Sequence, residues 1–294
     1  MDAELVGNAK TIKLLERIAA SKRIANAYLF LGPQGVGKFE MALFFARKII
    51  DNKEKIDSNL IIVEPEIEEK NGIVKKRDIK IEAIRQLQHK LSLTSVGGKY
   101  KAVIINEAER LNVTSQNALL KTLEEPNDRV VLILVSRDER KILSTIISRC
   151  QKIRLGLVSD SEIRRSIPDG AIDREEIVFW SAGRSEVAQL LLGDKQELEY
   201  MKQARRDFLD IANGGIKEKF SLAEKWSKDT SEMLKKMDIW TIFLRQAVLG
   251  KITAGKISPG KALEIIEEIA KDSESIRETN ANTKLILENL FLKI

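Results

Sequence analysis

The chain has 294 residues, 43% of them hydrophobic and 32% charged, with a formal net charge of +6. That mix excludes an intrinsically disordered polymer and predicts two or three domains with a sizeable core. A single cysteine (Cys150) excludes an internal disulfide and a cysteine-built zinc site, a single histidine (His89) excludes histidine-cluster chemistry, and no apolar run approaches the ~18 residues of a membrane span.

In chain order, Met1-Asp2-Ala3-Glu4 lacks the basic-then-apolar pattern of an export signal, so the expectation is a reduced, cytoplasmic setting. Ala27-Tyr28-Leu29-Phe30-Leu31 reads as a buried strand that runs into a glycine-rich loop. Glu40 to Ile50 reads as a helix, with Met41, Phe44, Phe45 and Ile49 near helical spacing. Leu60 to Val63 is a second strand, and the charged stretch 64–78, interrupted by Asn71-Gly72, is a hairpin or loop. Ile79 to Leu91 places Ile81, Ile84, Leu87 and Leu91 on one helical face. Gly97-Gly98 then breaks the chain before a third strand, Ala102 to Ile105. Ser115 to Leu123 is a helix stopped near Pro126, Val130 to Val135 a fourth strand, Arg140 to Ile147 a helix-like run and Ile153 to Leu155 a fifth strand. Strands alternating with helical patterns predict an α/β domain built on a parallel sheet.

Beyond about residue 157 the strand signals fade. Small helices are expected from Ser159 to Leu192, broken at Pro168-Asp169-Gly170 and Gly183. A charge-rich helical region follows from Lys195, punctuated at Gly214-Gly215 and Ser258-Pro259-Gly260, with Trp226, Trp240, Phe243 and Leu244 as its core.

Three short motifs carry chemistry. Gly32-Pro33-Gln34-Gly35-Val36-Gly37-Lys38 fits G-x-x-x-x-G-K, a loop whose backbone N–H groups and helix dipole hold phosphate while Lys38 meets the β- and γ-phosphates. The next residue should be Ser or Thr, whose hydroxyl ligates Mg²⁺, and it is Phe39. Val103-Ile104-Ile105-Asn106-Glu107 resembles a strand ending in a metal-holding Asp and a water-polarising Glu. Asn106 stands at the Asp position, where an amide oxygen is a poorer ligand for a hard dication, and Glu107 is retained or is an ordinary strand end. Ser148-Arg149-Cys150 follows; on its own its arginine reads as a surface charge.

Together with Asn117-Ala118-Leu119-Leu120-Lys121-Thr122-Leu123-Glu124-Glu125-Pro126, with Ala27 to Phe30 and with Val6-Gly7-Asn8, these motifs resemble the clamp-loader branch of the AAA+ ATPases over roughly residues 4 to 190. Within it the nearest resemblance is to the delta prime family of bacterial DNA polymerase III. The resemblance implies a P-loop AAA+ domain over 1–157, a helical lid over 158–193 and an all-helical collar over 194–294. It implies a non-hydrolysing stator in a hetero-pentameric loader with gamma/tau and delta subunits, acting on primed DNA and indirectly on the sliding clamp, with no membrane association. Arg149 would be an arginine finger acting on a neighbour's ATP, and Gly32, Gly35, Gly37 and Lys38 a degenerate nucleotide site with at most vestigial ATP or ADP binding. Asn106 and Glu107 would form a degenerate metal strand, and Ser136 would be the polar sensor after the fourth strand. Glu186, in Gly183-Arg184-Ser185-Glu186, falls where motor subunits carry a phosphate-sensing arginine, with Arg184 close by.

Many bacterial loader subunits carry a four-cysteine zinc module after the first helix. Residues 51 to 78 contain no cysteine, so no zinc is expected. Lys75, Lys76, Arg77, Lys80 and Arg85, with Lys99 and Lys101 beside the third strand, are candidate template contacts or a solvated basic face. An active loader ATPase of the gamma/tau or archaeal small-subunit kind, or a freestanding DNA-binding protein on a degenerate AAA+ fold, are the competing readings.

Overall fold

The structure is a computed structural model that describes residues 5–21, 23–50, 59–70, 73–92, 100–125, 129–255, 257–278 and 281–294. Met1 to Glu4, Asn71-Gly72, Gly97-Gly98, Lys99 and Pro126, used above as sequence signals, lie outside the described residues, as does the side chain of Lys75. The elements in order are α1 (Ala9–Ser21), β1 (Ala27–Leu31), α2 (Lys38–Ile50), β2 (Leu60–Val63), β3 (Ile67–Lys70), β4 (Ile73–Lys76), α3 (Ile81–Ser92), β5 (Lys101–Ile105), α4 (Val113–Glu124), β6 (Val130–Ser136), α5 (Ser144–Ile147) and β7 (Gln151–Arg154). After these come α6 (Asp160–Ser166), α7 (Arg174–Ser181), α8 (Ser185–Gly193), α9 (Lys195–Asn213), α10 (Ile216–Trp226), α11 (Thr230–Val248), α12 (Pro259–Glu278) and α13 (Thr283–Lys293).

Five strands form one parallel sheet in the order β2-β5-β6-β1-β7. Every residue of β1 and β6 is buried, because helices cover both faces and each strand must be apolar on both sides. Alternate residues divide between two cores. Leu29, Leu31, Val103, Ile105, Leu132 and Leu134 face Ile84, Leu87, Leu119 and Ile146 of α3, α4 and α5. Tyr28, Phe30, Ile104, Ile133 and Val135 face Leu15, Met41, Phe45 and Ile49 of α1 and α2. A parallel sheet ends all its strands on one edge. That edge gathers the loop after β1, the Asn106-Glu107 exit from β5 and the Ser136-Arg137 exit from β6. The stretch 64–78 is a β3–β4 hairpin, antiparallel with Ile67 opposite Lys76.

Two expected helices are reshaped by tertiary hydrogen bonds. The helix expected from Ile79 starts at Ile81, because the Ile79 N–H donates to Arg110 O (2.8 Å) and its carbonyl accepts from the buried Ser115 hydroxyl (2.8 Å). The run Arg140 to Ile147 is not one helix. A short 3₁₀ turn, Glu139–Lys141, is capped by Asp138, the backbone extends at Ile142, and only Ser144–Ile147 is α-helical. The Gln116 amide explains the break: it donates to Lys141 O (2.9 Å) and accepts from Leu143 N (2.7 Å), replacing intrahelical partners. The helix α1, amphipathic over Ala9–Ser21, was not anticipated from sequence.

The chain divides into two compact units. One holds the sheet, its helices through Ser166, and Gly183–Glu186. The other, Ile167–Ala182 with Val187–Ile294, is entirely helical in its described elements. Its centre is aromatic: Phe208, Trp240, Phe243 and Phe291 are all at most 2% exposed, and the Trp240 indole donates to Ala204 O (2.7 Å). The ring of Phe208 meets Trp240 and Phe243 edge-on, with centroids 5.6 Å apart in both pairs. Trp226 is only half-buried, against Trp240 and Phe291. Asp194, Asp229 and Asn282 cap α9, α11 and α13 by accepting from first-turn N–H groups.

Candidate nucleotide site and arginine turn

Leucine 31 delivers the chain into the loop at the end of a fully buried strand. Gly32 has no substitute there, since a β-carbon would lie 2.3 Å from the carbonyl oxygen of Leu155, the residue just past β7. Gly35 and Gly37 take φ of 80° and 79°, the left-handed region that other residues avoid. The loop is also tied from outside: Ser185 Oγ donates to Val36 O (3.2 Å) and Glu186 N–H to Gly35 O (3.0 Å), so the first turn of α8 is fastened to it. Gly183 makes the turn into α8 with φ 77° and accepts from Val158 N–H (2.8 Å). At the N-terminal end, Asn8 clasps Gly156 through both its side-chain atoms (3.2 and 3.4 Å), which gives Val6-Gly7-Asn8 a structural task beside β7.

Lys38 opens α2 and is 8% exposed. Its ammonium donates to Pro33 O (2.7 Å), across the mouth of its own loop. Burial pushes its pKa down, the charges of Glu109 and Glu186 pull it back up, and Arg137 opposes them. Phe39 is half-buried with the α1–α2 core, so the residue at the metal-hydroxyl position serves packing.

The exit of β5 is equally committed. Asn106 donates its amide to Glu64 Oε1 (3.0 Å) and accepts from Glu107 N–H (3.1 Å). Glu107, in the left-handed conformation at φ 51°, is paired with Lys76 of the hairpin and with Arg110 (2.7 Å). Burial opposes its ionisation, yet the hydrogen bonds and charges of Lys76 and Arg110 outweigh it and hold its carboxyl below the ordinary range. Ser136, 1% exposed, spends its hydroxyl on Asp138, donating to its carbonyl and accepting from its N–H (both 3.2 Å). This donor set does not suit catalytic Mg²⁺: Phe39 offers no oxygen, and the side chains of Asn106 and Glu107 are bound to neighbours. Among the described residues no group of three or more His, Cys, Asp or Glu could hold a metal ion.

Sequence reasoning missed several residues here. Arg137, one past Ser136, reaches the loop at Gln34 Oε1 (2.9 Å) and pairs with Glu109, whose side chain is 4% exposed (3.3 Å). Glu40, in the first turn of α2, has an Oε2 with no solvent exposure and no hydrogen-bond partner. Burial raises its pKa, its own N–H lowers it, Glu186 raises it and Lys38 lowers it, with a net upward shift. Each is a single charged residue outside any short motif, and only the sheet edge brings them together.

Arg149 lies away from the loop, in the turn after α5. One guanidinium nitrogen donates to Thr145 O (2.9 Å) and another to Glu124 Oε1 of α4 (2.8 Å), leaving the side chain 37% exposed. Glu124 thus joins the long α4 string to the Ser148-Arg149-Cys150 turn, a link that no local pattern reveals. Cys150 behind it is half-buried, and burial pushes its thiol up to about 12, well away from thiolate reactivity. Of the basic candidates, Lys76 is bound to Glu107 and Arg77 to Glu68 (2.5 and 2.7 Å), while Lys80 and Arg85 are exposed at and within the start of α3. His89 is exposed too.

A parallel sheet of this order, carrying a phosphate loop after β1 and followed in the chain by an all-helical C-terminal region, is the fold of an AAA+ module. The chain belongs to the family described as "DNA polymerase III, delta subunit", whose model matches residues 7–158. It is 25% identical over 290 residues to DNA polymerase III subunit tau of Bacillus subtilis (strain 168), covering 92% of this chain and 46% of the relative. It is 32% identical over 160 residues to subunit delta prime of the same organism, covering 49% of this chain and 46% of the relative. The chain therefore spans about half the length of these relatives. The fold resembles the crystal structure of a gamma subunit-related protein from Thermotoga maritima, with a TM-score of 0.59 at 21% identity, over 96% of this chain and 97% of that one. Among the described residues no helix is long and apolar enough to cross a membrane.

Proposed function

We propose that this chain is a clamp-loader subunit of the bacterial DNA polymerase III machinery that works as a stator, hydrolysing no ATP itself and lending Arg149 to nucleotide held by a neighbouring subunit. The observation that carries the reading is the fate of Glu107. The one carboxylate left at the metal-and-water position is bound to Lys76 and Arg110, beside an Asn106 that is bound to Glu64. A general base needs a free lone pair within reach of water, and this one is spent on two cations. Arg149, by contrast, is held in a defined place by Thr145 and Glu124 and is still open to solvent. A guanidinium so presented can neutralise charge on a transferring phosphoryl group, an effect worth about a thousandfold or more in rate.

In this reading the partners are gamma/tau and delta subunits in a five-membered ring, with primed DNA as the substrate of the whole assembly and the sliding clamp an indirect partner. Residues 1–157 form the AAA+ domain, 158–193 the lid and 194–294 the collar that packs beside neighbouring subunits. Lys75, Lys76, Arg77, Lys80 and Arg85 remain proposed template contacts; Lys76, Arg77, Lys80 and Arg85 are all exposed, the first two of them paired with carboxylates. Such contacts are salt-sensitive and blind to sequence.

A second reading, an ATPase subunit of the gamma/tau kind, has support in the complete Gly32 to Lys38 pattern and in the long match to subunit tau. Reconstitution separates the two. In an assembled loader, Arg149→Ala in this chain cuts ATP hydrolysis at the one neighbouring site it faces by about a thousandfold, while Lys38→Ala changes hydrolysis little. The opposite pattern would put the motor in this chain.

A further inference from the structure

The phosphate loop can lose its ligand in two ways: through missing metal donors, or through a cradle that no longer accepts an anion. Several features of this loop concern the second. Glu109 is buried to 4% side-chain exposure at the exit of β5, and both its oxygens face Arg137: Oε1 lies 3.3 Å from the guanidinium Nε and Oε2 accepts from the Arg137 backbone N–H at 3.3 Å. The same guanidinium continues to Gln34 in the loop. Of the charges around Lys38, that of Glu109 acts on it most strongly. Arg137 is therefore held by a buried carboxylate whose charge also acts on Lys38, much as a terminal phosphate acts on the cations of a working loop. Glu40 occupies the first turn of α2, beside the N–H groups an α-phosphate would use, with its Oε2 enclosed and unpartnered and 3.8 Å from where a β-carbon on Gly37 would sit. Glu186, fastened to Gly35, adds a third negative charge that acts on both Lys38 and Glu40.

We propose that the cradle is guarded by the chain's own carboxylates: Glu109, bound to Arg137, supplies the negative charge that a phosphate would supply to the loop's cations, and Glu40 bars an external polyphosphate from the N-terminus of α2. This rests on the stator reading and deepens it. The loop becomes a permanently satisfied joint between the β1, β5 and β6 exits and the first turn of α8, shaped as though loaded and closed to nucleotide whether or not Mg²⁺ is present. Phosphate binding at such a loop depends on a net positive field at a helix N-terminus, and a carboxylate in the first turn removes that field where it is needed.

The test uses the full chain and metal-free buffer, so that the lost Mg²⁺ ligands play no part. Inorganic pyrophosphate and ADP are titrated calorimetrically into the wild type, Glu40→Gln, Glu109→Gln, the double variant and Phe39→Thr. The wild type shows no saturation in the millimolar range. Each carboxamide tightens pyrophosphate binding by about tenfold, the order exerted by one unit charge across a partly solvated cleft, and the double variant tightens it further. Phe39→Thr changes nothing. Micromolar pyrophosphate binding by the wild type overturns the proposal, as do folded carboxamide variants that bind no better than it does. Circular dichroism melts accompany each titration; if Glu109→Gln fails to fold, Glu40→Gln, at a half-buried position, decides alone. The Arg149 experiment in the assembled loader reads a different site, so either idea can fail without the other.

Discussion

Glu107→Gln distinguishes a structural anchor from a catalytic carboxylate. The change keeps the size and shape of the side chain and removes the charge that Lys76 and Arg110 share. Glu107 is 23% exposed, Arg110 27% and Lys76 45%, so water screens the cluster in part. Two charge-assisted contacts at that exposure place the loss at about 1–2 kcal/mol. The sign with pH follows from the depressed carboxyl of Glu107. Its contribution is complete above the unfolded-state value near 4.5 and disappears as pH falls through the lower folded-state value. Urea unfolding of the isolated chain at neutral pH should show the variant less stable by that amount, with the two curves converging only once pH drops below the depressed folded-state value, where both chains carry a neutral side chain. The assembled loader's ATP hydrolysis should stay within about twofold of wild type, because a base already bound to two cations polarises no water. A variant of unchanged stability whose loader loses ATPase by a hundredfold would refute the reasoning and make Glu107 a working base.

Three further outcomes follow from the geometry. Arg149→Ala should cost at most about 1 kcal/mol in a denaturant melt, since its pair with Glu124 is exposed at 37% and 51%; a larger loss would mean the arginine is needed for folding rather than for a neighbour's nucleotide. Gly183→Ala should destabilise by about 2–3 kcal/mol, because a left-handed φ of 77° is combined with a β-carbon 2.7 Å from the Val158 carbonyl; a thermal melt unchanged from wild type would show that the turn into α8 yields easily. Asp272 on α12 is 8% exposed, with Oδ2 lacking a partner, and burial together with Glu268 raises its pKa to about 6. Its folded-state value lies above its unfolded one, so wild-type stability should fall as pH rises between about 4 and 6. Asp272→Asn should therefore be the more stable chain at pH 7.5, measured by urea unfolding, with the advantage fading on acidification; a gain independent of pH would rule out the titration.

The amino-acid sequence by itself determined the parallel α/β architecture and most of the site's missing chemistry. Strands buried on both faces must be continuous apolar runs, so β1, β5 and β6 announce themselves, and a glycine-rich turn after such a strand admits few other uses. The hydroxyl absent at Phe39 and the carboxylate absent at Asn106 are properties of single residue types, legible without coordinates. Tertiary structure alone decided where the remaining charges go. Glu107 pairs across 31 positions with Lys76, Arg137 across 103 with Gln34, and Arg149 across 25 with Glu124. Hydrogen bonds and ion pairs act over a few ångströms, whereas sequence patterns report only neighbours and periodicity. Parallel connections carry each partner over a whole helix before returning it to the shared edge. The same cause broke the run 140–147 and delayed α3, where side chains of Gln116 and Ser115 claimed backbone groups that local propensity would have left to the helix.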